Sequence, residues 1–341
     1  MKLIESVPEL ERRLTTPSAR DVESIRRMDG GIVILGAGGK MGPSLARRVQ
    51  QAVQESRAQK RVLAVSRFSS AGIAEDLQRD GVETLRCDLL NRNEVAKLPL
   101  CPNVLFLSGR KFGSAGRPDL TWAANTMVPA HIAYHYRASR IVVFSTGNVY
   151  PLMKLNTGGS CETDTPEPIG EYAQSCVGRE RVFEYHSREY GTPCVLFRLN
   201  YAVDLRYGIL ADIARQVHAG EAVDLTVPAF NALWQGDANS YALRCIEHCA
   251  TPPRVMNVTG PEVVSVRRAA EYFARELQRE PLFTGEESDR AFFGNASFCH
   301  ALLGYPEVSL GELMQWVAHW VKLGGASLNK PTHFAVADGR Y

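Results

Sequence analysis

The run GIVILGAGGKMGPSLARRVQQAV, residues 31–53, decides the fold. Its first five residues are a near-continuous apolar stretch of the kind that fills a buried parallel strand. Gly36, Gly38, Gly39 and Gly42 follow directly, and the chain then enters a helix-forming segment. A strand, a glycine turn and a helix in that order form a phosphate cradle. Glycine lets the backbone turn tightly and approach an anion without a Cβ in the way. The free N–H groups and the dipole at the helix N-terminus then favour negative charge. Gly36, Gly38, Gly39, Lys40, Met41 and Gly42 are therefore the expected cradle of a dinucleotide pyrophosphate.

Outward from this run the same rhythm repeats. RVLAVS (61–66), TLRCDL (84–89), NVLFLS (103–108), RIVVFS (140–145), PCVLFRL (193–199) and RVMNVT (254–259) are short apolar runs separated by amphipathic stretches. Seven such strands alternating with helices predict an α/β fold, a Rossmann-type doubly wound parallel sheet. Residues 1–30 read as a polar helical extension, and 31–199 with about 238–259 as the dinucleotide-binding domain. About 200–237 with 260–341 read as a smaller C-terminal α/β substrate lobe ending in a tail rich in turn formers and aromatics.

Composition narrows the function. Of 341 residues 45% are hydrophobic and 22% charged, and 39 basic against 37 acidic side chains leave a net charge of +2. That balance gives no electrostatic reason to expect a nucleic-acid partner. No apolar run is long enough to span a membrane, and the charged N-terminus does not resemble a signal peptide; a cytoplasmic protein is expected. The eight cysteines form no CxxC pair and read as reduced thiols. Cys245, His248 and Cys249 share one helix face, which reads as a half-buried face rather than a metal site; no metal is expected.

The end of the second strand selects the cofactor. NAD sites usually place a carboxylate there for the ribose 2′-hydroxyl. Here the strand ends in Ser66-Arg67, with no carboxylate before Glu75. Arg67 and the Ser66 hydroxyl suit a 2′-phosphate, so NADP is expected, with NAD the alternative.

These motifs together resemble the extended short-chain dehydrogenase/reductase family, the NAD(P)-dependent epimerase/dehydratase group, over about residues 31–320. GAGGKMG is similar to the family's GxxGxxG, and Cys87-Asp88-Leu89 resembles its adenine-contacting turn. VLFLSG stands where the family has its fourth strand and the loop beside the nicotinamide. FSTGNVYP resembles the serine/threonine-rich strand end, and CETDTPEP with GEY the acidic loop ahead of the catalytic tyrosine. The resemblance implies Thr146, Tyr172 and Asn125 as catalytic residues, Asn125 as a structural and proton-relay group. It implies Asp88, Leu89, Ser108, Gly109, Arg110 and Tyr172 as further cofactor contacts, and Asn148, Asn200 and Arg206 on the substrate side. Asp237 falls at the family's strand-capping aspartate. The implied reaction is epimerisation, dehydration or reduction of a sugar-like, nucleotide-linked or free, hydroxyl or ketone, and a homodimer is the default for this fold. The alternative is a non-catalytic NADP-binding sensor or scaffold.

One position departs from the pattern. The family's Tyr-x-x-x-Lys reads Tyr172-Ala173-Gln174-Ser175-Cys176. A free phenol, with a pKa near 10, is a poor base at neutral pH, and the family's lysine corrects this electrostatically. Losing that influence costs about 1.4–2.7 kcal/mol, which slows a proton-coupled step about ten- to a hundredfold. Three readings follow. Arg179, Arg110 or Lys111 substitutes, although each reads first as a surface or phosphate-facing charge. Cys176 acts itself, although a thiol on such a helix reads as core. Or the pocket binds cofactor and does little chemistry. For a diphosphate-bearing substrate Arg206 is the candidate cation, with Arg267 and Arg268 read as an exposed helix face. Trp234 and Gln235 read as cleft lining or packing.

Overall fold

The structure, a computed structural model, describes residues 2–111, 113, 116–330 and 332–339; Arg340 and Tyr341, at the end of the expected tail, lie outside the described residues. Seven strands form one parallel sheet: β1 Ile32–Leu35, β2 Val62–Ser66, β3 Glu83–Arg86, β4 Asn103–Phe106, β5 Arg140–Thr146, β6 Cys194–Leu199 and β7 Arg254–Val258. Their spatial order is β7-β6-β5-β4-β1-β2-β3, and every neighbouring pair is parallel. The order reverses beside β1, so the chain leaves the C-terminal ends of the paired strands β1 and β4 in opposite directions. Open α/β sheets bind ligands in that crevice. All seven apolar runs of the sequence are thus sheet strands. β1, β4 and most of β5 are buried along their length, as two covered faces require.

The segment expected as a polar extension, residues 1–30, is built into the body. Helices α1 (Val7–Thr15) and α2 (Ala19–Arg27) pack on α3 (Gly42–Ser56), the helix after the glycine turn. Leu10 and Leu14 enter the core of the C-terminal lobe, while Ile25 and Met28 enter the sheet core. Asp21, wholly buried, accepts from Arg48 of α3 and from Ser240. The N-terminal segment therefore joins the two cores and is no detached extension.

The C-terminal lobe is built on α6 (Ile209–Ala219), α8 (Val266–Leu277) and α10 (Leu310–Lys322), which share a core with Trp234, Trp316 and Trp320. Trp234 meets Trp316 edge-on at 5.4 Å, and Gln235 donates to Ser44 at 3.0 Å, so both pack and neither lines the cleft. Gln235 opens α7 (Gln235–Arg244), which lies on α3 and returns the chain to the sheet layer. Asp237, in the first turn of α7, accepts the Val308 amide at 3.1 Å and so anchors the loop before α10 rather than capping a strand. Cys245 lies against the Met256 sulfur at 3.4 Å, and Cys249 donates to the Ile141 carbonyl at 3.5 Å. Among the described residues no three His, Cys, Asp or Glu side chains gather as a metal site, and none of their helices is long and apolar enough to cross a membrane.

Candidate active site

Two adjoining cavities run across the C-terminal edge of the sheet and share Gly36, Gly39 and Leu107. Gly36 holds φ +86°, a left-handed conformation costly for any side chain, and a Cβ there would come within 2.7 Å of the Ser108 amide. A Cβ on Gly42 would overlap the Ala37 backbone, so α3 can start this close to β1 only with glycine. Met41, at the N-cap of α3, supplies no side-chain acceptor to the helix's free N–H groups, and Met41 and Gly42 line the cavity. An open cradle of amides at a helix N-terminus fits a pyrophosphate.

The first cavity gathers the expected adenosine residues Ser66, Arg67 and Asp88 together with part of the glycine turn and the loop expected beside the nicotinamide. Gly36, Gly38, Gly39, Ser66, Arg67, Asp88, Leu89, Ser108, Gly109 and Arg110 all line it. Arg67 stands exposed at its rim. Phe68 turns the chain after it with φ +46°, buried beneath Gly38. A phenylalanine in that region is strained, and such strain gathers at ligand sites; nothing in the sequence marked it. Asp88 is held in place through its amide on Glu94 at 2.8 Å and its carboxylate on the Leu90 amide at 3.1 Å.

The second cavity is lined by the rest of the loop, by Thr146, Asn148, Tyr172 and Asn200, and by Lys111, Tyr201, Tyr207, Phe292 and Thr332. Thr146 ends β5 and donates to Asn148 Oδ1 at 2.9 Å. Tyr172, near the start of α5 (Gly170–Tyr190), hydrogen-bonds Thr146 and Cys176. Burial pushes its phenol well above the ordinary value. Cys176 adds to that effect, while Arg179 and the Thr146 hydroxyl oppose it. Cys176 is wholly buried beside Val149 and Tyr150, and burial raises its thiol as well, so it is a neutral core residue.

Asn125 lies in α4, a helix of three continuous pieces, Pro118–Trp122, the π-helical turn Ala123–Met127 and Val128–His135. Its Oδ1 accepts from the Arg110 amide at 2.9 Å and from Arg179 Nη2 at 2.6 Å. Its Nδ2 donates to the Arg110 carbonyl at 3.0 Å and to Ser175 Oγ at 2.9 Å. Two donors and two lone pairs are all an amide side chain has. Every bonding position of the Asn125 side chain is thus occupied in clamping the loop after β4 to α5, the structural part of its expected role.

Three expectations change. Lys40 directs its ammonium away from the cradle, onto the Ala202 carbonyl at 3.0 Å and over the Tyr207 ring at 4.3 Å, on the substrate side. Desolvation pushes it down to about 8, partly opposed by Asp204. Arg206 is bound to Asp204 at 2.6 Å and to Glu11 at 2.7 Å, so its charge is neutralised within the fold and does not face the cavity. Arg179, expected at the surface, is buried: it donates to the Phe144 carbonyl and to Asn125, both at 2.6 Å. Lys111 stands 5.7 Å from the centre of the Tyr172 ring, and desolvation lowers its ammonium to about 8. The sequence carried no signal for Tyr207, Phe292 or Thr332, which reach the cavity from the lobe and the tail. Thr332 is fixed there by two bonds of 2.7 Å to Asp212.

The family model for the NAD dependent epimerase/dehydratase family matches residues 32–234. No curated protein matches the chain. Among solved structures, the UDP-glucose 4-epimerase of Thermus thermophilus in complex with NAD superposes with a TM-score of 0.69 at 17% identity, over 86% of this chain and 99% of that one. The UDP-glucose 4-epimerase of Thermotoga maritima with UDP-glucose gives 0.68 at 17%, over 86% and 98%. The UDP-glucuronic acid 4-epimerase of Bacillus cereus gives 0.68 at 17%, over 86% and 99%. At such identity these likenesses establish the fold.

Proposed function

Since the chain belongs to the NAD-dependent epimerase/dehydratase family, we propose that it oxidises or reduces a sugar-like carbinol or ketone, with Tyr172 and Thr146 moving the proton. The observation that carries this reading is the Tyr172–Thr146 hydrogen bond in a cavity contiguous with the glycine cradle. A bound nicotinamide dinucleotide supplies the hydride acceptor or donor. The amides of the Gly36–Gly42 turn hold its pyrophosphate and Asp88 its adenosine half. We assign NADP in preference to NAD, because Ser66 ends β2 and Arg67 follows it, where a carboxylate would repel a 2′-phosphate.

Thr146 positions the substrate hydroxyl beside the phenol, and Tyr172 takes or returns the hydroxyl proton at its phenolic oxygen. Asn148 and Asn200 offer hydrogen bonds to neighbouring hydroxyls. The substrate we favour is compact, a free sugar or sugar acid. Arg206 is already paired, Thr332 closes the far wall, and the cavity holds about 280 Å³, small for a ligand pocket. Lys40 is the cation on that wall and suits a carboxylate.

The test is a fluorescence titration with NADPH and NADH. A spectrophotometric screen of free sugars, sugar acids and UDP-sugars against both oxidised cofactors follows. Tighter NADPH binding and oxidation of a free sugar or sugar acid are expected. Tighter NADH binding overturns the cofactor assignment, and turnover of UDP-sugars alone overturns the substrate class. Binding of cofactor without turnover of any compound would favour the sensor reading, for which the neutral Cys176 speaks.

A further inference from the structure

Tyr172 lacks the lysine one turn along its helix, and the groups around it are Thr146, Cys176, Lys111 and Arg179, with Arg110 on the adjoining loop and Glu171 as its chain neighbour. Glu171 is turned outward onto the Trp122 ring nitrogen at 2.5 Å. Arg110 belongs to the adenosine cavity. Lys111 lies over the ring face, 5.7 Å from its centre, and desolvation disfavours its ammonium. Burial therefore works against the charge that Lys111 would have to keep beside a phenolate.

Arg179 has the opposite properties. It lies seven residues beyond Tyr172 on α5, about 10 Å along the axis. Helical side chains lean toward the N-terminus, so a long one there reaches back under Tyr172. The bonds show where it ends: on the Phe144 carbonyl, two residues before Thr146, and on Asn125, which is itself bonded to Ser175. The guanidinium thus sits between the end of β5 and the first turns of α5. Among the described residues no carboxylate pairs with it. Glu180, the neighbour on the helix, is taken by Arg198 at 2.6 and 3.0 Å and by Ser145 at 2.6 Å. Burying an unpaired cation is costly, and a neutral amide could make the same two hydrogen bonds. Gly109 accommodates the arrangement, since a Cβ there would overlap Arg179 Nη2.

We propose that Arg179 replaces the family's lysine as a positioning residue, its permanent charge beneath the Tyr172–Thr146 pair favouring the phenolate. The proposal rests on the reading of Tyr172 as the proton-transfer group. It predicts a helix that has moved its cation from the fourth to the seventh position after the tyrosine, with Asn125 keeping the guanidinium aimed at the site.

The test needs neither substrate nor cofactor. The protein is labelled with 3,5-difluorotyrosine, whose phenol is more acidic, and the fluorine resonance of position 172 is identified by its loss in Tyr172→Phe. Its titration midpoint is then followed by NMR. Arg179→Gln is expected to raise the midpoint by at least about one pH unit, a tenfold weaker acid, and Arg179→Lys to keep it within about 0.3. Cys176→Lys added to Arg179→Gln restores it, and Lys111→Met leaves it in place. Gly109→Ala, which pushes the guanidinium aside, raises the midpoint and serves should Arg179→Gln not fold. A midpoint unmoved in folded Arg179→Gln or in Gly109→Ala, or moved more by Lys111→Met, overturns the proposal. Failure of the functional reading would appear elsewhere, as turnover that survives Tyr172→Phe.

Discussion

Lys40 illustrates how a single residue departs from its motif. Within GAGGKMG it stands among phosphate-binding amides, but its side chain crosses to the lobe and settles on Ala202 and Tyr207. Burial lowers it from 10.5 to about 8. Below pH 8 both folded and unfolded chains carry the charge, and the folded one bears the desolvation cost. Between about 8 and 10.5 the unfolded chain binds more proton, so this group's contribution to stability rises with pH through that window. Lys40→Met should therefore stabilise the cofactor-free protein by about 2 kcal/mol below pH 8, the half-buried position keeping some solvent. The gain should vanish by pH 10.5. Urea unfolding at pH 7 and pH 10.5 checks it, and an equal gain at both values would refute the assigned burial cost. Tyr172→Phe is the complementary change. It removes one oxygen from the cavity and should lower turnover at least about a hundredfold while leaving NADPH affinity within about threefold. Stopped-flow turnover with parallel fluorescence titration separates the two effects.

Among the elements, the junction of α4, the loop after β4 and α5 determines the geometry of the site. Asn125 ties these three pieces with four hydrogen bonds. Asn125→Ala leaves the Arg110 amide and carbonyl and Arg179 Nη2 without this partner, and a loss of about 2–4 kcal/mol in unfolding free energy is expected. Because the released loop also lines the adenosine cavity, NADPH affinity should weaken with it; an unchanged affinity in calorimetric titration would show that the loop holds its shape without the clamp. Much of this arrangement was legible in the sequence. The seven strands were, because a sheet covered on both faces demands apolar runs that no other element shows so plainly. The meeting of Tyr172, Thr146 and the glycine turn at one cavity was, because the order of these motifs along the chain puts them all at the strand ends of one sheet. The burial of Arg179 was not, since an arginine on a helix face looks the same whether it meets water or a carbonyl. The pairing of Arg206 was hidden for a related reason. Asp204 stands two residues away, but the second partner, Glu11, comes from a helix nearly two hundred positions earlier, and no local pattern reports so distant a contact.

At the scale of the whole molecule, the N-terminal residues show how the two cores are joined. Residues 1–30 are polar enough to read as an appendage, yet α1 reaches the core of the lobe and α2 that of the sheet. Between them Asp21 is sealed against Arg48, whose guanidinium is itself only 4% exposed. Such a pair adds little net stability when whole, because two desolvated charges offset their attraction. Breaking it leaves one charge buried with no counter-ion, at about 3–5 kcal/mol. Asp21→Ala should therefore lower the unfolding free energy by that amount, and Asp21→Ala with Arg48→Met should recover most of it. A double-mutant cycle in guanidinium chloride measures the coupling. The glycine turn lies at the opposite end of α3 from its C-terminus but only six residues before Arg48, so the two variants also ask whether the arm sets the cradle. If α1 and α2 only brace the cores, NADPH affinity in the double variant should match the parent within about twofold. If affinity falls while stability recovers, the arm holds α3 in the register that the phosphate requires, and the dinucleotide site begins at Asp21 rather than at Gly36.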